Sequence, residues 1–221
     1  MNDLDVVMMV LADGRLPTGG HTHSAGVEAA VQVGDVIDLA TTDRFLAGRL
    51  ATTGLVDAAF AAAAAGGHDL ADLDTEYEVR TLSPHLRTTS RSLGRQLHRA
   101  GLALLGDRAD VLRRTRGCHR AIVMGALVAD VGGAPLDAAR LELHHLASAV
   151  HGAAVKLLAL DPLAVAAAQL RATDQIAALA ERAADAASTA RRPSDLPAAG
   201  GTLTEILGEW HGGSTQRMFV A

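Results

Sequence analysis

Histidines at close spacing are the residues of this chain best suited to chemistry, because a neutral imidazole binds transition metals and moves protons near neutral pH. The chain has 10 histidines. Those whose spacing brings them together in a loop or on one helix face are His21, His23, His144 and His151. A stable metal site needs three or four converging ligands, and no H-x-x-x-H, C-x-x-C or carboxylate cluster supplies them. We therefore expect no metal site and no cofactor, with most histidines lying singly at helix surfaces, and keep a His-rich helical metal-handling protein as the alternative function.

Ser24 is the one candidate nucleophile with a suggestive context. The string Thr22-His23-Ser24-Ala25-Gly26 approaches the G-x-S-x-G pattern of serine hydrolases, but Thr stands at the first Gly position. No strand is predicted before it, and that pattern needs a sharp strand-to-helix turn to expose the hydroxyl. Ser24 as the cap of the following helix is the better interpretation, and we expect no catalytic residue. A small hydrolase remains a third hypothesis.

The loop that carries these residues, 13–28, reads DGRLPTGGHTHSAGVE and is rich in glycine. Its glycines permit backbone conformations that other residues avoid, and Pro17 fixes one dihedral angle. We expect it to lead into a helix from about Thr22 to Val33. The free N–H groups at such a helix start suit an anion or carboxylate, while an ordinary connection between two helices is the alternative.

Composition favours a helical globular protein. Of 221 residues, 49% are hydrophobic and only 2% aromatic, and the apolar share is mostly Ala, Leu and Val. A net charge of −5 argues against nucleic-acid binding. Cys118 is the only cysteine, the acidic N-terminus lacks a basic leader region, and the alanine run 60–65 is too short to span a membrane. We expect a cytoplasmic protein without membrane or nucleic-acid partners.

Hydrophobic spacing predicts which elements hold these residues. Ser83-Pro84 and Asp161-Pro162 are helix-start pairs, residues 121–129 are apolar on every side, and the segment after Pro135 keeps a three–four apolar alternation to Leu160. No stretch alternates with period two. The prediction is an all-α, single-domain bundle of about nine or ten helices over residues 1–211, followed by a flexible C-terminal tail, 212–221.

Two surface features are left for partners. Arginines recur every fourth residue of one predicted helix, at Arg87, Arg91, Arg95 and Arg99. They form either a solvated face paired with nearby carboxylates or a docking surface for an acidic partner. The tail ends in Arg217, Met218 and Phe219, which either anchor a partner or fold back on their own domain.

Three motifs resemble the urease accessory protein UreF family. Leu16 to Glu28, LPTGGHTHSAGVE, is similar to the family's opening signature, and Arg87 to Leu97 to its R-x-x-S-x-x-x-G-x-x-L helix. The ending, from His211 to Arg217-Met218-Phe219, resembles the family's H-x(n)-R-[LM]-F close. After Lys156, LLALDP replaces the glutamine-rich run of many members.

The resemblance implies an all-α homodimer without catalytic chemistry of its own. Such a protein bridges UreD (also called UreH) and the GTPase UreG, and promotes delivery of nickel to apo-urease. Carried over by motif, the expected partner-binding residues are Ser24, Glu28, Arg87, Ser90, Gly94, Lys156, Arg217, Met218 and Phe219.

Overall fold

The structure, a computed structural model, describes residues 4–16, 23–213 and 218–219. Its α-helices in chain order are α1 (Leu4–Ala12), α2 (Val27–Gln32), α3 (Leu39–Arg49), α4 (Leu55–Ala65), α5 (Leu70–Arg80), α6 (Pro84–Leu105), α7 (Arg120–Asp130), α8 (Pro135–Leu158), α9 (Pro162–Arg171), α10 (Thr173–Thr189) and α11 (Thr202–Gly213). A π-helical turn, Leu50–Gly54, joins α3 and α4 into one rod, so these ranges hold ten helical rods and no strand. The predicted all-α fold is confirmed.

Helix starts follow the local chemistry of the chain. The Ser83 hydroxyl accepts a hydrogen bond from the Leu86 N–H at 3.0 Å, and Pro84 follows it as the first helical residue. The Asp161 carboxylate likewise accepts from the Leu163 N–H at 3.0 Å, ahead of Pro162. Both predicted helix-start pairs therefore cap their helices. The far end of α8 differs from its prediction, because Ala159 takes φ +50° and the helix stops at Leu158, short of Leu160.

The core lies where α4 meets α7, α8 and α10. Residues 58–64 of α4 and 121–128 of α7 are buried, as the all-apolar pattern of α7 predicts. One helical stretch of the described residues, Leu39–Ala65, is long and apolar enough to cross a membrane. The α4 half of this stretch is buried as a core helix of the bundle, because three other helices enclose it.

Small side chains let α4 and α7 approach closely. A Cβ atom added at Gly125 would collide with the Ala61 carbonyl oxygen and lie 2.7 Å from the Ala64 Cβ. Only glycine therefore fits at this crossing, and the alanines of α4 are the other half of the contact.

The C-terminal helix is fixed near the start of the chain. Helix α11 packs against α6 and α2, and the Glu205 carboxylate accepts a hydrogen bond from the Ser83 N–H at 2.7 Å. Because α11 runs to Gly213, it crosses the boundary that the sequence places between residues 211 and 212. This packing brings the last helix within reach of the side chains of α2.

Gly125→Ala should lower the free energy of unfolding by about 1–3 kcal/mol, the usual cost of overpacking. The matched control is Gly152→Ala in α8, where an added Cβ meets nothing within 4 Å. That change should raise the stability by about 0.5–1 kcal/mol, because alanine favours a helix interior over glycine. Urea unfolding of both variants measures the pair, and equal effects at the two positions would contradict the close crossing of α4 and α7.

Candidate functional site

The short helix α2 begins where two residues take left-handed backbone conformations. Ala25 has φ +52° and Gly26 has φ +88°, and the Val27 N–H bonds to the Ser24 carbonyl at 3.1 Å. The helix therefore starts at Val27 and not near Thr22. The predicted cap role of Ser24 is wrong, because Gly26 stands at the cap position and no side chain caps the helix. The Ser24 hydroxyl is fully buried, and the described residues offer it neither a hydrogen-bond partner nor the base that a nucleophile needs.

Glu28, in the first turn of α2, is buried and binds the C-terminal part of the chain. Its Oε1 accepts a hydrogen bond from the Met218 N–H at 2.6 Å, and its Oε2 accepts from the Phe219 N–H at 2.9 Å. The His211 Nε2, on α11, lies 2.9 Å from the same Oε2. Both carboxylate oxygens are thus satisfied by groups more than 180 positions away. We call this arrangement the Glu28 anchor.

The anchor holds Glu28 in its ionised form. Burial raises the pKa of this carboxyl, but the hydrogen bonds from the Met218 N–H, His211 and the Phe219 N–H favour the charged form, and the pKa is lowered overall. A buried carboxylate without such donors would be strongly destabilising. The ionised Glu28 therefore holds residues 218–219, which we call the C-terminal turn, against the folded domain.

The two residues of the C-terminal turn face opposite environments. The Phe219 side chain is buried in the core, and the Lys156 Nζ lies 5.4 Å from the centroid of its ring, within the range of a cation–π contact. The Met218 side chain is 66% exposed. Of the two alternatives for the tail, these residues show folding back on their own domain. Arg217 lies outside the described residues.

The four arginines of the α6 row fall into two groups, one paired with carboxylates and one exposed. Arg87 Nε pairs with Glu78 at 3.0 Å, and Arg91 pairs with Asp74 at 2.9 Å and with Glu78 at 2.8 Å. The prediction of a face paired with nearby carboxylates is confirmed for these two arginines. The exposed members of the row, Arg95 and Arg99, make no ion pair with the residues the structure describes.

Two further residues of the α6 motif pack against the start of α7. The Ser90 hydroxyl accepts a hydrogen bond from the Arg120 N–H at 3.3 Å. A Cβ atom at Gly94 would collide with the Cys118 carbonyl oxygen and lie 3.2 Å from the Arg120 nitrogen. In this chain the two residues set the distance between α6 and α7.

The histidines do not form a metal site in the described part of the chain, where no three His, Cys, Asp or Glu side chains could hold an ion together. His151 Nε2 lies 3.3 Å from Asp43, and His144 Nε2 lies 3.4 Å from the Ser148 hydroxyl. His21 is outside the described residues. The expectation of surface histidines is wrong for four of them, which are buried: His23, His119, His151 and His211.

Comparison with known proteins shows the family of this chain. A sequence model of UreF matches residues 36–173 of the chain. The urease accessory protein UreF of Mycobacterium sp. (strain JLS) is 38% identical over 219 residues, which are 97% of each chain. That of Mycobacterium tuberculosis (strain ATCC 25618 / H37Rv) is 37% identical over 220 residues, 97% of this chain and 98% of the relative. The chain belongs to the UreF family.

Residues from distant parts of the chain meet at one site. Glu28 from the opening motif, Lys156 from the long helix, and Met218 with Phe219 from the close meet at the Glu28 anchor. Sequence reasoning found these four but missed that they meet. It also left His211 without a partner, although His211 is the first residue of the closing motif.

Glu28→Gln should lower the free energy of unfolding by about 1–3 kcal/mol at neutral pH, because the amide cannot accept all the hydrogen bonds of the carboxylate. The folded-state pKa of Glu28 is below its ordinary value of 4.5, so its contribution is full above that pH and is lost as the pH falls through the folded-state pKa. Urea unfolding at a series of pH values should show the two proteins converging under acidic conditions.

The control for this change is Glu181→Gln, which removes an exposed carboxylate of α10. It should change the stability by less than about 0.5 kcal/mol at any pH. A Glu28→Gln protein as stable as the wild type at neutral pH, or a difference that does not shrink in acid, would show that Glu28 does not hold the C-terminal turn.

Proposed function

We propose that this protein is a non-catalytic scaffold of urease maturation that bridges a UreD/UreH protein and the GTPase UreG. In this role it promotes the insertion of nickel into apo-urease, with the metal as cargo and not as a resident cofactor. Membership of the UreF family supports the proposal. The observation that carries it is the Glu28 anchor, which holds residues 218–219 as a fixed surface beside α11.

An apolar face of α11 leads to this surface. Leu203, Ile206 and Trp210 are each at least half exposed, and their spacing of three and four places them on one side of the helix. Met218 is exposed next to the end of the same helix, because Glu28 binds both His211 and the Met218 N–H. Exposed apolar residues that include tryptophan and methionine are typical of protein interfaces. We assign this α11 face, with Met218, to the UreD/UreH partner.

The other proposed contacts are also assigned from exposed side chains. Arg95 and Arg99 are exposed and make no ion pair with the part of the chain that the structure describes, so they suit an acidic surface on another component of the assembly, UreG or apo-urease. A homodimer, acting in the cytoplasm, would present two copies of each surface. The histidine-based alternative has weaker support, because the described histidines do not converge on a metal position.

Capture of a UreD/UreH protein tests the proposal. Trp210→Ala and Met218→Ala should each weaken binding by about tenfold or more, as loss of a central interface residue does. Deletion of residues 216–221, which also removes the buried Phe219, should abolish binding. The matched control is Leu163→Ala on α9, where the leucine is 80% exposed, and its binding should equal that of the wild type. Pull-down and titration calorimetry on the full-length variants measure these effects.

Circular dichroism of each variant separates a lost surface from a lost fold. Folded Trp210→Ala and Met218→Ala proteins that bind the partner as well as Leu163→Ala would contradict the assignment of the α11 face. Retained binding by the folded deletion variant would contradict the role of the C-terminal turn.

A further inference from the structure

A cavity of about 470 Å³, partly open to solvent, lies between the helices beside the Glu28 anchor. Residues of α2 through α8 and of α11 line it. Much of the lining is apolar and includes Ala29, Val56, Leu93, Leu146 and Leu207. Its volume is that of a pocket for a small organic molecule, far above the share of a single water molecule.

One wall of the cavity carries a positive charge that the described residues leave unpaired. The Arg49 Nε is buried without a hydrogen-bond partner, and its guanidinium makes no ion pair with them. Asp57 and Glu205 are near enough to influence it, but Asp57 already accepts the Tyr77 hydroxyl at 2.6 Å and Glu205 already accepts the Ser83 N–H at 2.7 Å. Burial lowers the pKa of Arg49, yet a guanidinium keeps its charge in proteins. A buried charge of this kind calls for an anion.

Further hydrogen-bond donors lie beside Arg49. The Thr53 hydroxyl, four positions along the same rod, is buried without a partner. A Cβ atom at Gly201 would lie 2.9 Å from the Thr53 Cγ2, so glycine brings the first turn of α11 against Thr53. The first N–H groups of a helix have no partner within it, and they attract an anion together with the helix dipole.

Two other residues that line the cavity are more than nine-tenths buried and keep a polar atom without a partner. They are His23, through its Nδ1, and Glu142, through its Oε2. Burial lowers the pKa of the His23 imidazole to about 4, so it is neutral at physiological pH and able to exchange a hydrogen bond with a ligand. These atoms point to an occupant that supplies polar groups of its own.

We propose that the cavity binds a small organic carboxylate with an apolar body. The carboxylate binds the Arg49 guanidinium, the Thr53 hydroxyl and the first N–H groups of α11, and the apolar body lies along the alanine, valine and leucine side chains. A single guanidinium matches one carboxylate. A phosphate dianion fits less well, because its two charges exceed what one guanidinium neutralises and the Glu205 carboxylate also lines the cavity.

Such a ligand would act on the partner surface through α11. Leu207, Gly208 and His211 line the cavity from this helix, and His211 also binds Glu28. An occupant would therefore stabilise the position of α11 and, with it, the Glu28 anchor.

Titration calorimetry of the full-length protein with sodium octanoate tests the proposal, with 1-octanol as the uncharged analogue. Octanoate should bind saturably with one molecule per chain, and octanol should bind about tenfold more weakly or worse. Arg49→Met should weaken octanoate binding by about tenfold or more, and Thr53→Val should weaken it by a smaller factor. The matched control is Arg95→Met, which removes an exposed arginine of α6 and should leave binding unchanged.

We expect Arg49→Met to fold, because it replaces an unpaired buried charge with an apolar side chain. If the Arg49→Met protein does not fold, the Thr53→Val protein still tests the proposal. The proposal is overturned by the absence of saturable octanoate binding at millimolar concentrations, by equal affinity for octanol, or by equal losses in Arg49→Met and Arg95→Met. If a folded Thr53→Val protein binds octanoate as tightly as the wild type, the carboxylate does not bind at the α11 end of the cavity.

Discussion

A buried carboxylate needs hydrogen-bond donors, and for Glu28 these come from the far end of the chain. Two backbone N–H groups of the C-terminal turn and the imidazole of His211 surround its oxygens. Burial alone would favour the neutral acid, so the donors determine both the charge of Glu28 and the position of the turn. The opening motif and the closing motif of the chain are therefore parts of one site.

The rest of the bundle positions that site. Helix α8 packs against α2 and α4 and carries Lys156, whose ammonium group lies over the Phe219 ring. Helix α4 can approach α7 because glycine and alanine leave room at their crossing. Helix α11 is tied to the start of α6 by Glu205 and ends at the Glu28 anchor. A core of small residues thus supports a surface on which the exposed side chains are large and apolar.

The sequence predicts those parts of the fold that depend on contacts between residues close together in the chain. Ser83-Pro84 and Asp161-Pro162 mark helix starts through contacts within three residues, and the apolar run 121–129 indicates burial by composition alone. The start of α2 was mispredicted because Ala25, like Gly26, takes a positive φ, which an alanine rarely does. Glu28 and His211 lie 183 positions apart, and spacing says nothing about such pairs. The sequence does not predict that Arg49 lacks a partner among the described residues, because this depends on the cavity that the fold forms around it.

Hydrogen exchange at the C-terminal turn tests the central claim most directly, namely that the Glu28 carboxylate holds the end of the chain. In the wild-type protein alone, the amides of Met218 and Phe219 should exchange at least about tenfold more slowly than in an unstructured peptide, because both donate to Glu28. In Glu28→Gln this protection should be lost while the amides of α7 stay protected. Unprotected amides at 218 and 219 in the wild type, or equal protection in both proteins, would contradict the claim.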